Sequence, residues 1–247
     1  MSRHGIVVGA HSGIGSAVLK RWCESPALTP AFAKVHAVSR QPLGINAAPL
    51  ENHICNHSEE AITAVVETIT DQLRECEGSL DRVLIALGTL HGDGYQPEKS
   101  LRSLESAAMQ EVYRVNTVLP MLWLSRLFPL LRRQEDCRIA VISARVGSLE
   151  DNRLGGWWSY RASKAALNMA LKCTAIEFGR MAPGVKLVAF HPGTVDTPLS
   201  QPFQRNVKSD KLFEPSFVAD RLDGVLDSLA PDGQLSYLDW DGKPIPW

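Results

Sequence analysis

The sequence predicts an α/β fold, a doubly wound parallel sheet between two layers of helices, and three observations carry that prediction. Short β-branched runs alternate with helix-periodic segments along the whole chain, as in successive strand–helix units. The first run, Ile6-Val7-Val8, enters a glycine-rich turn that opens a helix. The run at residues 82–87, Arg82-Val83-Leu84-Ile85-Ala86-Leu87, is almost continuously apolar, which suits a parallel strand covered on both faces. With 247 residues and 45% hydrophobic content, the chain is large enough for one well-buried core and short for two. Residues 1–247 are therefore read as a single domain.

After the first strand, Gly9-Ala10-His11-Ser12-Gly13-Ile14-Gly15 precedes a helix expected over 16–24. Backbone N–H groups and the positive end of the helix dipole make such a turn an anion cradle, and glycines let a pyrophosphate approach the backbone. A connection punctuated by Pro26 and Pro30 leads to a second strand at 35–38, which ends in Ser39-Arg40. In a dinucleotide fold this strand end meets the adenosine ribose, where an acid accepts from the 2′-hydroxyl and an arginine accommodates a 2′-phosphate. Arg40 stands there without an acid, which points to NADP(H) as the cofactor.

Residues 41–52 are too short and too rich in Pro, Gly and Asn for a crossover helix, so a loop is expected to reach a short strand near 53–55. A helix at 59–77 carries Ile62, Val65, Val66, Ile69 and Leu73 on one face. The strand at 82–87 stops at Gly88. One long helix is marked by Leu104, Ala108, Val112, Val115, Leu119 and Leu122. Inside it, Pro120 lacks the N–H that would bond the Asn116 carbonyl, so a bend is expected there. A strand at 138–142, a polar loop, a helix backed by Leu167, Leu171, Thr174 and Phe178, and a strand at 185–190 follow. The polar stretch from His191 to Glu214 suits a mobile lid. A helix at 216–229 and a strand at 234–238 close the chain, and the site belongs at the carboxyl ends of the strands.

Tyr160 and Lys164 lie at the start of the helix that follows the polar loop. Positions i and i+4 share one helix face, so the phenol and the ammonium can occupy one small volume. A nearby cation favours the phenolate and is expected to draw the tyrosine pKa down from ~10 by about 1 to 3 units, toward the range of efficient acid/base work. Leu154, Trp157 and Trp158 are expected to form an apolar wall beside it.

The segments Gly9-Ala10-His11-Ser12-Gly13-Ile14-Gly15, Asn116, Tyr160-x-x-x-Lys164 and Pro192-Gly193-x-Val195-x-Thr197, in this order, resemble the short-chain dehydrogenase/reductase (SDR) family over nearly the whole chain. Within it, Arg145-Val146-Gly147-Ser148, Asp151-Asn152, Gly155-Gly156-Trp157, the run from Tyr160 to Asn168 and the ending Asp241-Gly242-Lys243-Pro244-Ile245-Pro246-Trp247 resemble the C-factor-like group, named for a bacterial cell–cell signalling protein. The resemblance implies a Rossmann-like fold and an NADP-dependent oxidoreductase acting on a small-molecule carbonyl or alcohol. Tyr160 would exchange a proton with the substrate oxygen, Lys164 would lower its pKa and hold the nicotinamide ribose, and Asn116 would position a water beside Lys164. Cofactor contacts are expected from Gly9, His11, Ser12, Gly13, Ile14, Gly15, Ser39, Arg40, Asn56, Leu87, Gly88, Asn116, Tyr160, Lys164, Pro192, Gly193, Val195 and Thr197. The family's substrate-polarising serine falls on Ala144, with Ser143 one place earlier, and Ser143 is taken as the fourth catalytic candidate. The alternative is a cofactor-binding, C-factor-like signalling or sensor protein with little turnover. A homodimer or homotetramer is also implied.

Composition removes other classes. A net charge of −1 leaves no electrostatic footprint for nucleic acid, and no apolar run approaches the ~18 residues of a membrane span. The chain runs from Met1-Ser2-Arg3-His4 straight into strand-like residues, which predicts no signal peptide. Five scattered cysteines without a Cys-x-x-Cys suit reduced thiols in a cytoplasm. The seven histidines show no ligand spacing, so no metal site is read.

Overall fold

The computed structural model describes residues 2–24, 31–44 and 48–247. The connection around Pro26 and Pro30 lies outside the described residues. The chain begins with β1 (Arg3–Val8), α1 (Gly13–Glu24), β2 (Lys34–Ser39), β3 (Leu50–Ile54), α2 (Glu59–Glu75) and β4 (Ser79–Ile85). It continues with α3 (Ser106–Tyr113), α4 (Leu119–Leu131), β5 (Cys137–Ile142), α5 (Trp158–Met181), β6 (Val185–His191), the two-residue strands β7 (Thr194–Val195) and β8 (Leu212–Phe213), α6 (Pro215–Asp227) and β9 (Leu235–Asp239).

Among the described residues, seven strands form one sheet in the order β3-β2-β1-β4-β5-β6-β9, and every neighbouring pair is parallel. Parallel strands need crossover connections, and the helices that supply them cover both faces. One apolar cluster, including Ile62, Ile69, Trp123, Leu127, Leu167 and Leu171, seats α2, α4 and α5 on one side. A second, including Val18, Trp22, Phe190, Val218 and Leu222, seats α1 and α6 on the other. Strand order reverses between β1 and β4, so their carboxyl ends open a crevice at the switch point.

Several boundaries differ from the sequence expectations. Gly13 and Ile14 already belong to α1, which starts three residues earlier than periodicity placed it. β3 lies at Leu50–Ile54 rather than 53–55, because its pairing with β2 takes up Leu50, Glu51 and Asn52. β4 ends at Ile85, leaving Ala86 and Leu87 beyond the sheet edge and available to the crevice. The single helix expected across 104–122 is two α-helices joined by a π-helical turn, Arg114–Val118. Pro120 cannot donate to the Asn116 carbonyl, and the chain accommodates the missing bond by widening: the Leu119 N–H bonds back to Arg114. The stretch expected as a loose lid is tied down, since β7 pairs with β8 and Phe203 packs against Trp157 at 5.1 Å.

Candidate active site

The glycine-rich turn is held in shape by its own backbone. The Gly9 and Ala10 N–H groups both donate to the Val38 carbonyl at 3.0 Å, and the Gly15 N–H donates to the Ser12 hydroxyl, also at 3.0 Å. Gly9 has φ +85°, a left-handed conformation that side chains disfavour, and a Cβ there would stand 2.7 Å from the Ala86 carbonyl oxygen. A Cβ on Gly13 would run into the Thr197 methyl group, so Gly13 is what lets the first turn of α1 pack against the β7 segment. The first N–H groups of α1 lack intrahelical partners and point out of its N-terminus.

A cleft of about 740 Å³ opens beside this turn, within the usual size of a ligand site, and it is lined by Gly9, His11, Ser12, Ser39, Arg40, Asn56, Leu87 and Gly88. Eight of the positions singled out in the sequence thus meet in one concavity. The same cleft is lined by His57, Thr89, His91, Tyr95, Glu111 and Arg114, which sequence reasoning missed. Arg114 carried no local signal: the π turn brings it over the cleft, where Glu111 holds its guanidinium through bonds of 2.7 and 2.8 Å. Burial pushes the His57 imidazole down to about 4, and the charges of Arg40 and Arg114 add to that shift. Two arginines, Arg40 and Arg114, therefore line this cleft.

The Tyr160 and Lys164 pair is built on α5. Its start is clamped by Glu98, a buried carboxylate that accepts from the Ser159 N–H at 3.3 Å and from the Ser159 hydroxyl, while the Glu98 carbonyl accepts from the Trp157 N–H at 2.7 Å. Trp157, at φ +53°, turns its ring edge-on to Tyr160 at 6.2 Å. Leu154 is 91% exposed and is not part of the apolar wall expected there, which consists of Trp157 with Phe203. Trp158 lines a separate hollow with Arg161 and Ala165.

Lys164 is 1% exposed, and its ammonium donates to the Ile142 carbonyl at 2.9 Å while lying 6.0 Å from the Tyr160 ring centroid. A Cβ on Gly88 would lie 3.6 Å from Asn116 Oδ1 and 3.7 Å from Lys164 Nζ, so the end of β4, the π turn and α5 converge on one point. Asn116, fully buried, accepts from the Thr89 N–H at 2.7 Å and donates to the Thr89 carbonyl at 2.9 Å and to Ser163 Oγ at 3.0 Å. It bolts the loop after β4 to α5.

The electrostatics differ from the sequence expectation. Lys164 does not draw Tyr160 down; burial pushes the phenol up to about 12, with Tyr237 adding to the rise. Burial also lowers Lys164 to about 7. Lys164 is taken out of water and its ammonium is spent on the Ile142 carbonyl, and burial outweighs their attraction at both groups. Ser143 also departs from expectation. It is 2% exposed, and its hydroxyl donates to Asn168 Oδ1 at 2.7 Å, toward the inner face of α5. Ala144 presents only a methyl side chain, and its carbonyl accepts from the Tyr237 hydroxyl at 2.7 Å.

Pro192 and Gly193 form the turn between β6 and β7 and Val195 ends β7, with Gly193 at φ +76° packed on Phe213 and Trp240. They lie apart from the eight cleft positions, and Thr197 links them to it through its contact with Gly13.

The family model described as short chain dehydrogenase matches residues 3–208. The chain belongs to the short-chain dehydrogenase family. As such it is an oxidoreductase. It is 32% identical over 148 residues to the "C-signal" of Myxococcus xanthus, an alignment that covers 60% of this chain and 84% of that one. It is 28% identical over 244 residues to the "1-hydroxy-2-glutathionyl-2-methyl-3-butene dehydrogenase" of a Rhodococcus strain, covering 98% of both. Its structure superposes on the NADPH-bound carbonyl reductase from chicken fatty liver with a TM-score of 0.83 at 25% identity, covering 100% of this chain and 99% of that one.

Proposed function

We propose that this short-chain dehydrogenase is an NADP(H)-dependent carbonyl reductase or alcohol dehydrogenase, with Tyr160 as its acid/base group. The observation that carries the reading is that Lys164, 6.0 Å from the Tyr160 ring, and Asn116 both meet Gly88, which also lines the cleft that holds Arg40 and the glycine-rich turn. That turn fits a dinucleotide: the α1 N-terminus takes the pyrophosphate, and Arg40 with Arg114 takes the 2′-phosphate. When bound, NADP(H) supplies the donor or acceptor of the hydride.

The protein's own groups handle the proton. A phenol pushed up to about 12 stays protonated throughout the neutral range, so in the reductive direction Tyr160 is set to give its proton to a carbonyl oxygen. Lys164 holds the ribose and restores the proton, and Asn116 keeps the loop after β4 against α5 so that both stay in place. Trp157 and Phe203 shield the reacting carbonyl from water. The small-molecule substrate is then a ketone, aldehyde or alcohol with an apolar flank.

Ala144 and the internal commitment of Ser143 favour one second reading, a cofactor-binding sensor with little turnover, since no serine hydroxyl is offered to a substrate there. Consumption of NADPH across a panel of ketones, aldehydes and quinones decides between them. Tight NADPH binding with no oxidation on any of these would leave the sensor.

Cofactor choice is tested at Arg40. NADPH is expected to bind at least about tenfold tighter than NADH, ~1.4 kcal/mol, and Arg40→Ala should erase most of that difference. Equal affinity of the unmodified protein for the two cofactors would refute the assignment. We also infer a homodimer or homotetramer built on the π turn that leads into α4 and on the face of α5, where Val118, Met169 and Ile176 are 47%, 66% and 50% exposed. A monomer by light scattering at micromolar concentration would contradict it.

A further inference from the structure

Outside the crevice, three histidines form a hydrogen-bonded row across β1, β2 and β3, on the side of the sheet covered by α2. His4, His36 and His53 are 2%, 0% and 9% exposed. His4 Nδ1 lies 3.2 Å from His36 Nε2, and His36 Nδ1 lies 3.1 Å from His53 Nε2. Strand register explains the grouping. His36 pairs with Glu51 and Val38 with His53, so Glu51 and His53, two apart on β3, share the face that His36 occupies on β2.

The donor atoms of His36, Glu51 and His53 all lie within 4.8 Å of one another. Two nitrogens bound to one tetrahedral Zn²⁺ at about 2.0–2.1 Å stand roughly 3.3 Å apart, close to the separation of His36 Nδ1 and His53 Nε2. Glu51 closes the third side on a flexible side chain at the rim, 27% exposed, which also gives an ion a way in. Two imidazoles and one carboxylate are a donor set for zinc-like ions rather than for calcium or magnesium.

The surroundings supply the orientation that ligating histidines require. If His36 uses Nδ1 as ligand, its Nε2–H donates to His4 Nδ1, and His4 then directs its own Nε2–H at Ser2 Oγ and Cys76 Sγ, each at 3.3 Å. One direction of donation satisfies both His36 and His4. The competing charge is Lys34, whose ammonium stands 2.5 Å from the Glu51 carboxylate and whose side chain is 35% exposed, so it can withdraw into solvent.

We propose that His36 Nδ1, His53 Nε2 and the Glu51 carboxylate bind one divalent ion of the zinc class, with the fourth position left to water. Nothing in the proposed reaction uses this ion, and the site is independent of Tyr160. The test is titration of the chelator-treated full chain with Co²⁺, followed by visible absorption, with Zn²⁺ competition measured by equilibrium dialysis and by the melting temperature. One ion per chain is expected, with the absorption of four-coordinate nitrogen and oxygen ligation and a higher melting temperature with Zn²⁺. Glu51→Gln keeps the shape of the rim and should weaken binding at least about tenfold, as should His53→Asn. Lys34→Met should tighten it by removing the competing ammonium. Circular dichroism of each variant shows that it is folded. The proposal is overturned if no stoichiometric ion binds, if the folded Glu51→Gln and His53→Asn proteins bind as tightly as the unmodified chain, or if a thiolate charge-transfer band places the ion on a cysteine.

Discussion

Tyr160→Phe is expected to lower turnover on any reducible carbonyl at least about a hundredfold while leaving NADPH binding nearly unchanged, because it removes a proton and keeps the ring. Lys164→Met should damage both, since the same ammonium holds the ribose and restores the proton. The two positions next to each other after β5 sharpen the test. The Ser143 hydroxyl is bonded inward to Asn168, so Ser143→Ala should change kcat little, whereas losing a hydroxyl that polarises the substrate costs roughly 10²–10³ in rate. Ala144→Ser should raise kcat by offering a donor at the position that now carries a methyl. Steady-state kinetics with NADPH, alongside fluorescence titration of the cofactor, separate these outcomes. Full activity in Tyr160→Phe would remove Tyr160 from the chemistry, and a large loss in Ser143→Ala would show that its hydroxyl reorients toward the substrate.

The second large effect is loss of stability in mild acid. Burial lowers His36 to about 3 and His57 and His191 to about 4, all from an ordinary value of 6.5. In the unfolded chain each ring takes up a proton as the pH falls through 6.5, while the folded ring resists until pH 4 or below. The unfolded state therefore binds more protons throughout that window, and stability falls as the pH falls. At pH 5 the loss is about 2 kcal/mol per ring, and about 6 kcal/mol for the three together. That is comparable with the whole stability of many domains, roughly 5–15 kcal/mol. Urea unfolding at pH 7.5 and pH 5 should show a midpoint that drops sharply, and His36→Asn should flatten the dependence. An unchanged midpoint over this range would contradict the burial of neutral rings.

Much of the fold was legible because its signals are local. The spacing of Ile62, Val65, Val66, Ile69 and Leu73 marks the buried face of α2, and all five are buried. Ile6-Val7-Val8 before a glycine-rich turn marks a strand feeding a helix, as β1 and α1 do. Boundaries were less legible. β3 extends back to Leu50 because β2 offers it partners, and strand pairing is a property of two segments. Pro120 announced a bend but not its form, since a π turn depends on Asn116 reaching Thr89 and Ser163 on other elements.

By itself the sequence determined the layering, the strand alternation, the family, and the placing of Tyr160 and Lys164 on one helix face, because periodicity and i,i+4 spacing are geometric consequences of the backbone. Tertiary structure alone decided what those groups experience. The same ammonium that spacing put beside the phenol is turned to the Ile142 carbonyl, and burial raises one pKa and lowers the other. Ser143 lies next to the family's serine position, yet just past the end of β5 its hydroxyl is given to Asn168 on α5. Arg114 reaches the cleft, and His36 meets Glu51 and His53, through contacts between segments far apart in the chain. Desolvation and long-range packing depend on everything that surrounds a group, and no window of sequence contains that.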